Sequence, residues 1–134
     1  QRVVAGDIDP VAVDSAKTNA RLNSAPRITF ARAVGTRSRV VTAQVPYDLI
    51  FANILLGPLL RLAVPIRRLT APGARVVLSG LLPAQGNAVI SIYRAQGLAL
   101  ERRIVLDGWI TLVMHRKANR PERGVRGGLP VVKS

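Results

Sequence analysis

Val3-Val4-Ala5-Gly6-Asp7-Ile8-Asp9-Pro10 is the stretch on which the reading of this chain turns. The apolar run predicts a buried strand that ends in a carboxylate at Asp7, followed at once by a helix. Asp9 suits the N-cap, because its carboxylate can accept from the first unpaired helical N–H groups. Pro10 suits the first helical position, because it has no N–H to lose there. Val13, Ala16 and Ala20 then recur at helical spacing and predict a helix over residues 10–22. A carboxylate at the carboxyl end of a parallel strand can accept two hydrogen bonds at once, which is how nucleotide-type α/β sheets hold ribose hydroxyls. Asp7 is therefore a candidate binding residue. In such sheets a glycine-rich loop lies roughly 20 residues before that carboxylate. Here six residues precede Asp7. The spacing predicts the back portion of a nucleotide-type domain, with its first strand and glycine-rich loop missing.

Composition bounds the rest. A length of 134 residues suffices for one domain with a real core, and 49% hydrophobic against 20% charged residues describes globular material. Cysteine is absent, which removes disulfides and thiolate metal sites and fits a reducing, cytoplasmic setting. No apolar run approaches the ~18 residues that a membrane-spanning helix needs. The net charge of +13 raises the question of a nucleic-acid partner. Much of it is concentrated in the Gly/Pro-rich end, where the last 19 residues hold six Lys or Arg against Glu122 alone. The other basic residues are scattered. The five aromatics lie in or beside apolar runs, so no stacking platform for bases is evident. Nucleic-acid contact through the basic tail is read as incidental.

Apolar runs alternate with helical patterns along the chain, which predicts an α/β fold with a mostly parallel sheet. Strands are expected at 2–7, 28–33, 48–53 and 74–79, with the doubly apolar 48–53 in the sheet centre. Residues 35–46 read as a polar loop. Leu59, Leu62, Ala63, Ile66 and Leu69 continue the helical period, with Pro65 set to kink or split that helix. Ala71-Pro72-Gly73 reads as a stop, and a helix over 84–96 ends at Gly97. Asp107-Gly108 between two apolar runs predicts an antiparallel hairpin of 98–106 with 109–115. The expected organisation is a partial domain over 1–116 and a basic, structureless tail over 117–134.

Two polar residues fall at carboxyl ends of expected parallel strands, where open α/β sheets bind ligands: Asp7 and Asn53. A neutral amide makes no useful base, but its carbonyl can accept from an amine and its NH₂ can donate. That suits orienting an amino nucleophile towards an electrophilic methyl group, a reaction that needs placement and dryness more than acid–base groups. Each residue has a plainer role open to it, Asp7 as a turn residue and Asn53 as the cap of the helix starting near Pro58. His115, the single histidine, reads as incidental. Ser79-Gly80 lacks the surroundings of a nucleophile elbow. Asp9 and Asp14 read as helix residues, not metal ligands, and Trp109 reads as core.

At this point the motifs resemble a known family. Asp7-Ile8-Asp9-Pro10 with Asn19 and Asn23 is similar to the second motif of class I methyltransferases. Tyr47-Asp48-Leu49-Ile50-Phe51-Ala52-Asn53-Ile54-Leu55 with Gly57-Pro58-Leu59 resembles the fourth motif of one branch, the bacterial PrmA family of ribosomal protein L11 methyltransferases. Leu78-Ser79-Gly80-Leu81-Leu82 with Gln85, then Tyr93, Gly97 and Gly108-Trp109-Ile110-Thr111-Leu112-Val113, continue the likeness over roughly residues 2–117. Ile54-Leu55 stands where glutamine and nucleic-acid amino methyltransferases carry two prolines. The resemblance implies a Rossmann-like sheet with a C-terminal antiparallel hairpin and S-adenosylmethionine as methyl donor. It implies methylation of lysine side chains and the N-terminal amine of ribosomal protein L11. By it, Asp7 matches the acid on the adenosine ribose, and Asn53 matches the asparagine at the junction of cofactor and substrate. It also implies that a substrate-recognition domain, the first strand, the glycine-rich loop and an upstream threonine are missing. The isolated chain is then an inactive fragment of an enzyme. The alternative is a catalytically inactive basic α/β module that binds ribosomal RNA or a protein partner. Without a central strand, the chain is expected to be marginal, to associate, or to pair its two inner edge strands directly.

Overall fold

The computed structural model describes residues 2–25, 27–33 and 35–118. The charged tail beyond residue 118 lies outside the described residues. The chain opens as expected. β1 (Val3–Asp7) feeds α1 (Pro10–Leu22), which is capped by the Asp9 carboxylate accepting from the Val11 N–H and has Pro10 in its first turn. β2 (Ile28–Arg32) then returns parallel to β1, with Asp7 opposite Arg32.

Beyond residue 35, α2 (Arg39–Thr42) occupies the stretch expected to be loop. Ser38 creates it: its hydroxyl accepts from the Val40 N–H and supplies a cap in an otherwise polar segment. β3 (Tyr47–Asn53) is followed by α3 (Leu56–Arg61) and α4 (Ala63–Leu69), the split falling at Leu62, three residues before Pro65. β4 (Thr70–Leu81) is longer than its apolar run. The Ala71-Pro72-Gly73 stop lies inside it, as an irregularity where pairing jumps from Tyr47–Thr70 to Leu49–Arg75. A single 3-10 turn, Pro83–Gln85, leads into α5 (Gly86–Ala95). β5 (Leu98–Leu106) and β6 (Trp109–Arg116) form the expected hairpin about Asp107-Gly108.

The strands form two sheets, β1-β2 and β3-β4-β6-β5. β6 is inserted antiparallel between β4 and β5. β1 and β3 do not pair with each other, so the expected direct closure is not what forms. Each keeps an unpaired edge among the described residues. β3 is consequently an outer strand of its sheet, not a central one, and Phe51 is 73% exposed.

The continuous core lies on one face of the larger sheet. Val76, Leu78, Ile110, Leu112 and Met114 meet Leu59, Ile66, Val89 and Tyr93 from the helices. Full burial of such side chains stabilises by about 1.5–3 kcal/mol each, so this layer carries the fold. The β1-α1-β2 unit adds little to it: Val13 is the one buried residue of α1. On the opposite face of the larger sheet the alternation places Leu49, Phe51, Ile104, Leu106 and Trp109, all exposed. Trp109 is 54% exposed and not core as expected. Its neighbour Ile110 takes the buried side, and strand alternation turns the indole to the other.

Tyr93 ties α5 to α3. Its hydroxyl donates to the Leu59 carbonyl at 2.9 Å in a fully buried setting, and burial pushes the phenol pKa well up, so the donor proton is retained. Tyr93→Phe leaves that carbonyl unpaired and is expected to cost about 1–2 kcal/mol, read from urea denaturation.

Candidate active site

Both strand-end residues sit where the chain folds them by local chemistry. Asp7 is the last residue of β1 and is exposed. Its Oδ1 accepts from the Asp9 N–H at 2.9 Å, while Asp9 Oδ1 accepts from the Val11 N–H at 2.9 Å. The turn thus divides the labour: Asp9 caps α1, and the exposed Asp7 is braced through one carboxylate oxygen. Behind it, the Ala33 N–H donates to the Asp7 carbonyl at 2.9 Å, locking the strand end to β2.

Asn53 is the last residue of β3 and lies in register with Ser79 of β4. The capping role open to it is not the one it takes. α3 starts at Leu56 with Leu55 as N-cap and no side-chain cap hydrogen bond, so the carboxamide is not consumed by the helix. It rests against Gly80, whose φ is +76° and whose Cα side is so close to Asn53 Oδ1 that a Cβ there would overlap it. The following loop is fixed by Gln85, whose Oε1 accepts from the Leu82 N–H at 2.9 Å and whose own N–H donates to the Leu82 carbonyl at 2.9 Å.

Ser79-Gly80 therefore belongs to the strand-end region, although no nucleophile elbow surrounds it. The signal for its place lies in cross-strand register, with Asn53 opposite Ser79, and register is invisible until the strands are paired. The other polar residues fall elsewhere. His115 pairs with Arg75, in the middle of β4 and four residues before Ser79. Beside it Arg75 Nε donates to both Glu101 oxygens at 3.1 and 2.8 Å, and this guanidinium holds the Glu101 carboxyl below its usual range. Asp14 pairs with Lys17 at 3.4 Å. No cluster of metal-ligating side chains occurs among the described residues. No described helix is long and apolar enough to cross a membrane. A surface hollow of about 630 Å³ lies between α1 and β2, lined by Lys17, Arg21, Ile28 and Phe30 among others, and Asn53 is not part of its lining.

A parallel α/β sheet with an antiparallel last strand, and polar residues at the ends of β1 and β3, is the Rossmann-like arrangement of class I methyltransferases. A methyltransferase from Pyrococcus furiosus has the same fold, with a TM-score of 0.71 at 18% identity over 87% of this chain and 63% of that one. The ribosomal protein L11 methylase of Lactobacillus delbrueckii subsp. bulgaricus matches with a TM-score of 0.77 at 26% identity, over 87% of this chain and 59% of that chain. The chain belongs to the ribosomal protein L11 methyltransferase (PrmA) family, whose model matches residues 1–117. The ribosomal protein L11 methyltransferase of Rhodopseudomonas palustris (strain BisB5) is 46% identical over 115 residues, which are 85% of this chain. The chain spans 39% of the length of that curated relative.

Proposed function

We propose that this chain is the C-terminal, cofactor-facing part of an S-adenosylmethionine-dependent methyltransferase acting on amino groups of ribosomal protein L11, lysine side chains and the N-terminal amine among them. On this reading residues 1–116 are a partial methyltransferase domain, the basic segment 117–134 is an appendage with at most incidental nucleic-acid contact, and the protein works in the cytoplasm. The observation that carries the reading is that Asn53 lies at a strand end and is not used to cap the helix after it.

The donor set fits the cofactor. Asp7 offers a carboxylate braced through one oxygen, the right group to accept from a ribose diol. Asn53 offers a neutral amide that adds no charge beside a sulfonium. The cofactor supplies a methyl group made electrophilic by that positive sulfur. The chain's part is to hold and orient. The Asp7 carboxylate accepts from the ribose hydroxyls, and the Asn53 carbonyl accepts an N–H of the incoming amine, aiming its lone pair. Fixing two partners in line supplies most of what such a transfer needs.

Asp7→Ala tests the cofactor half in a full-length family enzyme carrying this sequence. Ribose contacts are made equally in ground and transition states, so the KM for S-adenosylmethionine is expected to rise about 10-fold or more while kcat at saturation moves little. A fall in kcat with unchanged KM would remove Asp7 from the cofactor site.

A further inference from the structure

We propose that Gly80 is a positioning residue for Asn53: the bare backbone at the end of β4 is the seat on which the Asn53 carboxamide rests, and it decides how that amide faces the strand-end site. This rests on the proposed role of Asn53 and deepens it.

Gly80 shares its left-handed backbone with other described glycines and differs from them in what occupies its Cα side. Its φ of +76° is one that L side chains rarely adopt, and its Cα side is occupied by a polar atom of the site, Asn53 Oδ1. A Cβ added at Gly108, of the same hand, would meet nothing within 4 Å, one at Gly97 or Gly73 would find its nearest atom at 3.7 or 3.8 Å, an ordinary van der Waals distance, and one at Gly35 would meet the apolar end of Leu62 at 3.1 Å. Gly73, Gly97 and Gly108 are turn or bulge glycines that need conformational freedom alone, and what Gly35 approaches is no polar group of the site. Gly80 needs the space as well, and what fills the space is a functional group. The register explains how this arises: Asn53 pairs with Ser79, so the next residue of β4 lies directly past the end of β3. Asn53 is exposed and α3 is capped without it, and the neighbour that its amide oxygen lies against is the bare backbone at Gly80. Any side chain at 80 pushes Oδ1 off its seat, and a displacement of about 1 Å at an orienting group can cost on the order of 100-fold in rate.

A double-mutant cycle separates this from a purely conformational need for glycine. Gly80→Ala, Asn53→Ala and the double variant are made in a full-length family enzyme carrying this sequence, and kcat, KM and Tm are measured. The expected result is a fall in kcat of about 10-fold or more for Gly80→Ala, with less than about twofold further loss when it is added to Asn53→Ala. The melting loss is likewise smaller in the Asn53→Ala background, because the overlap is gone while the φ strain remains. Equal losses of kcat and Tm in both backgrounds overturn the proposal, since Gly80 would then act through its backbone alone. Should Gly80→Ala fail to fold, recovery of folding in the double variant supports the seat, and failure of both overturns it. If Asn53→Ala alone keeps wild-type kcat, the role of Asn53 fails and the catalytic half of this proposal with it. The thermal cycle then decides whether the seat itself exists.

Discussion

Asn53→Ala in the full-length enzyme is expected to lower kcat by about 100-fold while Tm stays within a degree or two of wild type. Removing an orienting acceptor is felt in the rate, because the amine keeps its affinity for the rest of the site and loses its aim. Removing an exposed side chain that caps nothing is hardly felt in stability, because α3 begins at Leu56 with Leu55 as its N-cap. A helix cap would give the opposite pattern, a loss of about 1 kcal/mol and near-normal turnover. Steady-state kinetics and thermal melts on one preparation distinguish the two. Normal turnover with a lowered Tm would return Asn53 to a structural role and leave the inactive binding module as the better reading of the chain.

The second large effect concerns the 134-residue chain on its own. Titration calorimetry with S-adenosylmethionine is expected to find no micromolar binding. No Gly-x-Gly-x-x-Gly run occurs in this sequence, so the backbone N–H groups that such a loop points at its ligand are not supplied by one here. Several hydrogen bonds of about 1 kcal/mol each amount together to two or more orders of magnitude in Kd. The fold adds to the deficit. Asp7 sits on the β1-α1-β2 unit, which shares no residue with the main core cluster and whose β1 keeps an unpaired edge. A binding residue on a thinly packed unit is in position for only part of the time, and the apparent affinity falls by that fraction. Micromolar binding by this chain would overturn the view that its share of the cofactor cradle is incomplete.

What could be read from the sequence was local. Asp9 and Pro10 define the start of α1 by capping chemistry that acts over three residues, and Asp107-Gly108 defines the β5-β6 hairpin over two. The observed helix and hairpin match those readings. The candidate pair Asp7 and Asn53 follows from strand ends, and both lie at strand ends. What could not be read depended on partners distant in the chain. The doubly apolar 48–53 run suits a central strand, yet its free edge and exposed face come from which strands it meets. Ala71-Pro72-Gly73 carries every local mark of a stop, but pairing with β3 on both sides of it, at Thr70 and again at Arg75, carries the strand past it. Gly80 is one more strand-end glycine until β3 is laid beside β4. Ser38 is the exception: its capping hydroxyl is a local signal for α2, masked by the basic residues around it.

The exposed face of the larger sheet gives the molecule a built-in optical reporter. Trp109 is the chain's single tryptophan, so its fluorescence arises from one known place, the uncovered side of the hairpin near Leu106 and Ile104. A half-exposed indole emits at long wavelength, and its emission shifts to the blue when apolar surface closes over it. Anything that comes to lie on that face, whether more of the same polypeptide or a neighbouring molecule, therefore announces itself in the colour of the protein's own light, without a label.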